Sequence, residues 1–559
     1  MARREATCEA TRERARMFDA FSHRRARCGR GRGIVTRDWC RRRVSRRRCR
    51  RSDASSSTMS RTGVVFATMV VVARAFGFGS ANDDDIGVRA SAFVRVRADG
   101  RGFERGDACL NTTSGYDGDF VFRGFNAYGL LELGAEVENG SFGRDWSRGV
   151  GRETVRALLD DAREANMNVI RTWAFSVNHA RPLWDASGTY DETLLRGLDF
   201  VLHEASERNM FVILALADYW QAHGGVPHFL KTCASSNFDA QRNTGEFTSE
   251  NDVEMASDRE FFDSPRCRAM YRAHVARILS RVNTFNGRTY KDDPTIAAFN
   301  LMNEPRCRGC GDALQSWIDD MSATFNELDS GHHMLTVGEE GFYASDTPSE
   351  RGADDINPAL WASTTGQDFV RNHAGPYIHF TTAHIWKDNW AVYSPTVRFD
   401  AERFTRRWIS AHEADAKTLR KPLVIEEFGS APGGVRRVVQ SNRAAAPPSV
   451  FNRMRLARRT RRQEDDVDDY YRAVFSQVAR SISRDDGYIR GALFWVLYPE
   501  SMRSAEVDAL DPFAVFPSDG AFAQARRFAA HVVALTSTDT AVEALSSMSS
   551  CRNVTRVVE

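Results

Sequence analysis

From residue 118 onward the chain alternates between short apolar runs and longer segments whose apolar residues recur at intervals of three and four. The short runs are "DFVFRGFNAYG", "MNVIRTWAF", "MFVILALADYW", "TIAAFNLMNEP", "HHMLTVGEEG", "IHFTTAHIW", "KPLVIEEFG" and "RGALFWVLYP". Near-continuous apolar character is what a strand covered on both faces requires. The segments between them, among them "GRETVRALLDDAREAN", "ETLLRGLDFVLHEASERN", "CRAMYRAHVARILSRVNTF" and "DALQSWIDDMSATFNELD", carry one apolar helical stripe each. Eight such alternations over roughly 400 residues predict an α/β fold, a closed (β/α)8 TIM barrel with long loops. An open doubly wound sheet is the alternative, but "FRGFNAYG" lacks the Gly-x-Gly-x-x-Gly order of its phosphate turn.

In a barrel the C-terminal ends of the strands face the active site. Those ends carry Asn126, Arg171, Trp173, Asp218, Trp220, Asn303, Glu304, Glu339, Glu340, His384, Trp386, Glu426, Glu427 and Trp495. A lone glutamate at a strand end is ordinarily a cap or a surface ion-pair partner, and a lone tryptophan is ordinarily core. Recurrence at successive strand ends is what points to a site. Two carboxylates facing each other across a cleft suit retaining hydrolysis of a glycosidic bond, one protonating the leaving oxygen and the other attacking the anomeric carbon. Glu304 and Glu427 are candidates for that pair. Asn303 would bond a sugar hydroxyl beside the reacting carbon, and Arg171 would keep a nucleophilic carboxylate ionised. Trp173, Trp220, Trp386 and Trp495 are expected as exposed flat faces for sugar rings. Burial is expected to raise the pKa of Glu304, so that it starts each turnover as an acid.

Composition adds the chain's surroundings. The 559 residues carry a net charge of +2, but residues 1–58 hold 19 Arg, no Lys and 6 acidic residues, so the leader is basic and the body acidic. Such an arm would neutralise phosphates, yet it lacks the interleaved aromatics of a nucleic-acid-binding element, and no nucleic-acid partner is expected. Residues 1–58 read as a disordered extension upstream of the working start. Residues 59–81 read as a signal peptide or signal anchor: a basic start, an apolar stretch from Val64 to Ala73 interrupted by Arg74, then Gly79-Ser80-Ala81. The stretch is too short for a stable membrane span. An N-terminal segment, 82–117, precedes the catalytic domain, 118–535, and a tail, 536–559, follows it. Residues 431–466 are Arg-rich and Pro-broken and read as a loop insertion after the seventh strand.

Beyond the leader and signal, Cys109, Cys233, Cys267, Cys307, Cys310 and Cys551 form an even set. Cys307 and Cys310 follow Glu304 in a loop rather than opening a helix, so they read as a local staple and not a redox motif. Sequons at Asn111, Asn139 and Asn553 agree with a secretory route.

"TYKDDPTIAAFNLMNEPRCRGC", with "RVNTFNGRTY" before it, "NVIRTWAF" upstream and "KPLVIEEFG" downstream, resembles the endo-β-1,4-mannanases of glycoside hydrolase family 5, in the branch found in plants and fungi. The likeness runs in order from about Phe120 to about Val533 and includes "LDSGHHMLTVGEEGFYA" and "GALFWVL". The resemblance implies a retaining endo-mannanase acting on β-mannan polysaccharide without metal or cofactor; the expected form is a secreted monomer. It implies Glu304 as general acid/base and Glu427 as nucleophile, with Arg171, Asn303, His384 and Trp495 lining the cleavage subsite. Glu427 is preferred to Glu426 because it precedes Phe-Gly and because adjacent strand residues face opposite ways. One departure stands out: Trp386 replaces the tyrosine usual two residues after the sixth-strand histidine, so a hydroxyl is exchanged for an indole N–H. The rival readings are a β-1,4-glucanase or transglycosylase on the same barrel, and a non-catalytic carbohydrate-binding protein.

Overall fold

Two short strands, β1 (Val94–Val96) and β2 (Phe103–Arg105), pair antiparallel ahead of eight parallel ones. The computed structural model describes residues 93–551 apart from 106–118, 139–144, 176–180, 186, 222–223, 240–249, 395–396, 399, 435–460, 505–506 and 509–510. The parallel strands are β3 (Phe122–Asn126), β4 (Val169–Trp173), β5 (Phe211–Ala215), β6 (Ile296–Asn300), β7 (Met334–Thr336), β8 (Thr381–Ile385), β9 (Leu423–Phe428) and β10 (Ile489–Phe494). Their order is β7-β6-β5-β4-β3-β10-β9-β8. The two ends of that series meet, since the His379 N–H donates to the Leu335 carbonyl (2.8 Å) and Thr336 Oγ1 to the Phe380 carbonyl (2.8 Å). The result is the eight-stranded barrel that the pattern predicts, with one strand in each of the eight apolar runs.

Every residue of β4, β5, β6, β8, β9 and β10 is buried. That is the cost-free place for runs such as "FVILA": helices cover one face and barrel side chains the other. The expected helices form at Val150–Glu164, Glu192–Glu207, Pro265–Leu279 and Gly311–Asp329. The second of these starts where Asp191 accepts from the Thr193 and Leu194 N–H groups, which are otherwise unpaired at a helix N-terminus.

The β1–β2 hairpin closes the barrel at the N-terminal end of its strands. Phe103 stacks on Phe122 (ring centroids 4.5 Å) and meets Phe380 edge-on (5.5 Å). Burying one such ring stabilises by about 1.5–3 kcal/mol, so the segment before residue 118 contributes to the barrel floor. The leader (1–58), the signal-like stretch (59–81), Cys109 and the three sequons lie outside the described residues, as does most of the 431–466 insertion. The last part of that insertion belongs to a helix, Arg461–Ile482. A final helix, Gly520–Cys551, runs across the boundary expected at 535 and packs on it through Phe528 and Phe475 (4.6 Å). Among the described residues no helix is long and apolar enough to cross a membrane.

Two disulfides are present among the described residues. Cys307–Cys310 is the local staple expected from the sequence, and Cys233–Cys267, 34 residues apart, ties the helix Gly225–Cys233 to Pro265–Leu279. Replacing Cys233 and Cys267 together with Ser is expected to lower unfolding free energy by about 2–4 kcal/mol, because the unfolded chain regains loop freedom. Non-reducing denaturant melts of the two forms measure this, and equal midpoints would refute it.

Candidate active site

The apolar run of β6 continues through Leu301 and Met302 to Asn303, which bridges in parallel register to Asp218 beyond β5. Glu304 then adopts φ +49°, a left-handed conformation costly for a residue with a side chain. The surrounding backbone holds it there: the Glu304 N–H donates to the Gly338 carbonyl at 2.8 Å. Gly338 itself sits at φ +90°, where a Cβ would lie 2.6 Å from the Met302 carbonyl. The strand end is thus bent to aim one carboxylate across the barrel mouth, and Pro305 follows it.

Arg171, fully buried at the centre, organises the site. Its Nε donates to Asn300 Oδ1 (2.7 Å), Nη1 to Asn126 Oδ1 (3.0 Å) and Glu427 Oε1 (2.5 Å), and Nη2 to Asn303 Oδ1 (2.7 Å). Its guanidinium also lies 4.8 Å from the Trp173 ring centroid. Asn303 in turn donates to Asp218 Oδ1 (3.1 Å). Four strand ends, those of β3, β4, β6 and β9, are joined through one planar fork, the use to which arginine geometry is best suited.

Glu304 Oε1 accepts from His384 Nδ1 (2.7 Å) and Trp386 Nε1 (3.2 Å), and Oε2 from Trp220 Nε1 (2.5 Å). His384 Nδ1 is also 3.3 Å from Glu427 Oε2. One ligand atom each from Glu304, His384 and Glu427 lie within 4.8 Å of one another. Carboxylate oxygens this near each other agree with the close carboxyl pair of a retaining glycosidase. The trio is also close enough to hold a cation. Arg171 and His384 already answer its carboxylates, so the charge is met by side chains.

Burial pulls His384 down, but Glu427, Glu304 and Glu426 override it and push its pKa up to about 10. Desolvation raises Glu427 to about 7 against the pull of His384 and Arg171. Glu304 behaves differently from the sequence expectation. Burial alone would raise it, but His384, Arg306 and Trp220 outweigh burial and hold it below the ordinary carboxylate value. In the substrate-free site the proton of the Glu304–His384 hydrogen bond therefore rests on the imidazole. Because the folded pKa of His384 lies above its unfolded value of 6.5, the stability it contributes is complete below about 6.5 and is lost as pH rises through about 10. Lys421, held down to about 8 by burial, acts in the opposite sense above 8. Chemical melts of the wild type and His384→Gln between pH 6.5 and 10 isolate the histidine: the difference between them is expected to shrink as pH rises, and a constant difference would refute the assignment.

Three expectations need correction. Trp173 is fully buried, under Arg171 and against Phe175, and Trp386 and Trp495 are only 7% and 8% exposed. They cannot present broad open faces; Trp495 instead stacks on Tyr128 (5.4 Å) and meets Trp386 edge-on (5.9 Å). Strand alternation does not separate Glu426 from Glu427 either. The register shifts between Ala383 and His384, and both carboxylates approach Arg171 and His384: Glu426 Oε2 lies 3.5 Å from Arg171 Nε and 3.7 Å from His384 Nε2. The third correction is Glu304's pKa, described above.

Other residues of the site were not assigned roles by sequence reasoning. Asn300 bridges Arg171 to Glu426, and Arg306 makes a paired ion bridge to Glu340 (2.7 and 2.5 Å) while lying over the Trp220 ring (4.8 Å). Their only sequence signal is position at or just past a strand end.

A barrel with two close carboxylates at its mouth, one gripped by arginine and the other by ring N–H donors, defines a retaining-type glycoside hydrolase architecture. Residues 138–513 match the family described as GH family 5 beta-mannosidase-like, and the chain belongs to that family. Mannan endo-1,4-beta-mannosidase 1 of Oryza sativa subsp. japonica is 34% identical over 391 residues, 69% of this chain and 76% of that protein. Mannan endo-1,4-beta-mannosidase 8 of the same plant is 34% identical over 313 residues, 56% of this chain and 75% of that one. In fold the chain resembles the crystal structure of the family 5 mannosidase of Rhizomucor miehei (TM-score 0.60, 21% identity, 80% of this chain and 99% of that one). It also resembles the endo-β-1,4-mannanase of Thermotoga petrophila (TM-score 0.52, 22% identity, 75% and 78%).

Proposed function

We propose that this enzyme hydrolyses internal β-1,4-mannosidic bonds of mannan, galactomannan or glucomannan by a two-step retaining mechanism. The observation that carries the reading is the pairing of Glu304 and Glu427 within 4.8 Å, each with a different set of partners, inside a family 5 chain. Glu427, oriented by Arg171, attacks the anomeric carbon while Glu304 gives a proton to the departing oxygen. That proton reaches Glu304 from His384 when the sugar's negative-going oxygen enters the site. Glu304, now a base, activates water, which releases the sugar from Glu427 with its original configuration. Asn303, held by Arg171 and Asp218, meets the hydroxyl next to the reacting carbon.

Trp495 closes the floor of the same subsite. The polypeptide acts as a monomer, secreted by way of residues 59–81; the two disulfides among the described residues support an oxidising compartment.

The test is product analysis on linear β-1,4-mannan, galactomannan and β-1,4-glucan in parallel. Short manno-oligosaccharides are expected early from the first two. Release from glucan alone would keep the mechanism and overturn the substrate, and binding without products from folded protein would overturn catalysis.

A further inference from the structure

Trp386 departs from the residue its family resemblance leads one to expect, and its place in the structure gives the departure a consequence. A tyrosine hydroxyl both donates and accepts hydrogen bonds. The indole instead turns its N–H to Glu304 Oε1 at 3.2 Å, and Glu427 is left to Arg171 and His384. On the other oxygen, Oε2, Trp220 donates at 2.5 Å. Both rings are held from behind: Trp386 packs edge-on against Phe513 (4.9 Å) and Trp495, and Trp220 lies under the guanidinium of Arg306.

We propose that Trp386 is a positioning residue for the general acid, forming with Trp220 a two-indole clamp that fixes both oxygens of Glu304 and favours its ionised form between turnovers. An indole N–H donates and never accepts, so each ring stabilises a carboxylate and offers nothing to the oxygen that would carry a proton. The other charged groups facing Glu304 divide. His384 on β8 and Arg306 after β6 favour its ionisation. Glu340 beyond β7 and Glu427 on β9 oppose it, and Glu426 lies behind His384. The clamp shifts this balance toward the anion, and the proton is stored on His384 until a leaving oxygen displaces an indole or accepts the proton.

The inference rests on Glu304 being the acid/base, so its decisive readout does not depend on turnover. The full secreted chain is labelled with [13C]carboxyl glutamate, and the Glu304 resonance is identified by its loss in Glu304→Gln. Its titration midpoint is expected to move up by about one pH unit in Trp386→Phe, the scale of one lost hydrogen bond to a charged group. Trp220→Phe, which empties the other oxygen, should move it the same way, and serves if the first variant does not fold. Unchanged midpoints in folded variants would overturn the clamp and leave the indoles as packing. Kinetics supply the second readout. In Trp386→Phe a larger loss is expected on mannan than on an aryl mannoside whose leaving group needs no proton. Equal losses on both substrates would count against it. A wild type inactive on mannan whose Glu304 still shifts in the variants would overturn the substrate reading and not the clamp.

Discussion

Replacing Glu427 with Ala is expected to abolish hydrolysis of mannan, a loss on the order of 10⁵-fold in kcat, while leaving the protein able to bind manno-oligosaccharides. Removal of one member of a covalent catalytic set costs that much in other hydrolases. Glu304→Ala should lose about 10²–10⁴-fold, the range for general acid–base catalysis, and lose least on substrates with good leaving groups. Azide separates the two roles. It should restore activity to Glu304→Ala with a β-mannosyl azide as product, because it intercepts the covalent intermediate, and to Glu427→Ala with the α-product, because it takes the place of the nucleophile. Neighbouring Glu426 gives the internal control. It is fully buried and bonded to Asn300, so Glu426→Gln is expected to weaken the site without creating any azide dependence. Azide rescue of Glu426→Ala with the α-product would exchange the two assignments.

The second large effect is expected at Arg171. Its side chain has no exposure, and it donates to Asn126, Asn300, Asn303 and Glu427. Arg171→Ala leaves buried Glu426 and Glu427 to His384 alone, and removing one partner of a buried charge network costs about 3–5 kcal/mol. Activity should fall at least as far as for Glu304→Ala, because Asn303 and Glu427 lose their common anchor. Arg171→Lys keeps the charge but not the fork, so it should recover part of the stability and little of the activity. Urea unfolding and kcat/KM measured on both variants decide this. Equal stability of Arg171→Ala and wild type would mean that the site's carboxyls are neutral in the folded protein, contrary to the network described here.

Much of this arrangement was legible before any coordinates. The eight apolar runs each became a strand because burial on both faces leaves a strong signal, and a charged residue at the end of such a run, as in Asn303-Glu304-Pro305, is conspicuous. What a one-dimensional pattern does not contain is which groups meet across the barrel. The contacts of Glu304 come from Trp220 and Trp386, 84 and 82 residues away along the chain. Strand alternation misled at Glu426 and Glu427 because the β8–β9 pairing skips Glu426, an irregularity in β9 that breaks the simple two-residue period. The pKa of Glu304 was misjudged for a related reason. Burial can be inferred from an apolar run, but two of the three groups that overcome it, His384 and Trp220, come from other strands, and only Arg306 is near in sequence. The tryptophans illustrate the same limit: a strand end places a residue near the mouth, yet stacking among Tyr128, Trp173 and Trp495 turns those rings into wall rather than platform.

The central claim is that Glu427 forms a covalent bond to the sugar and Glu304 serves it as acid and base. Incubation with a 2-deoxy-2-fluoro-β-mannosyl fluoride, followed by peptide mapping by mass spectrometry, tests this directly, because the 2-fluorine slows both steps while the fluoride leaving group keeps capture faster than release. A single labelled peptide is expected, with the sugar on Glu427. A label on Glu426 or Glu304, or inactivation of the folded protein with no label at all, would contradict it.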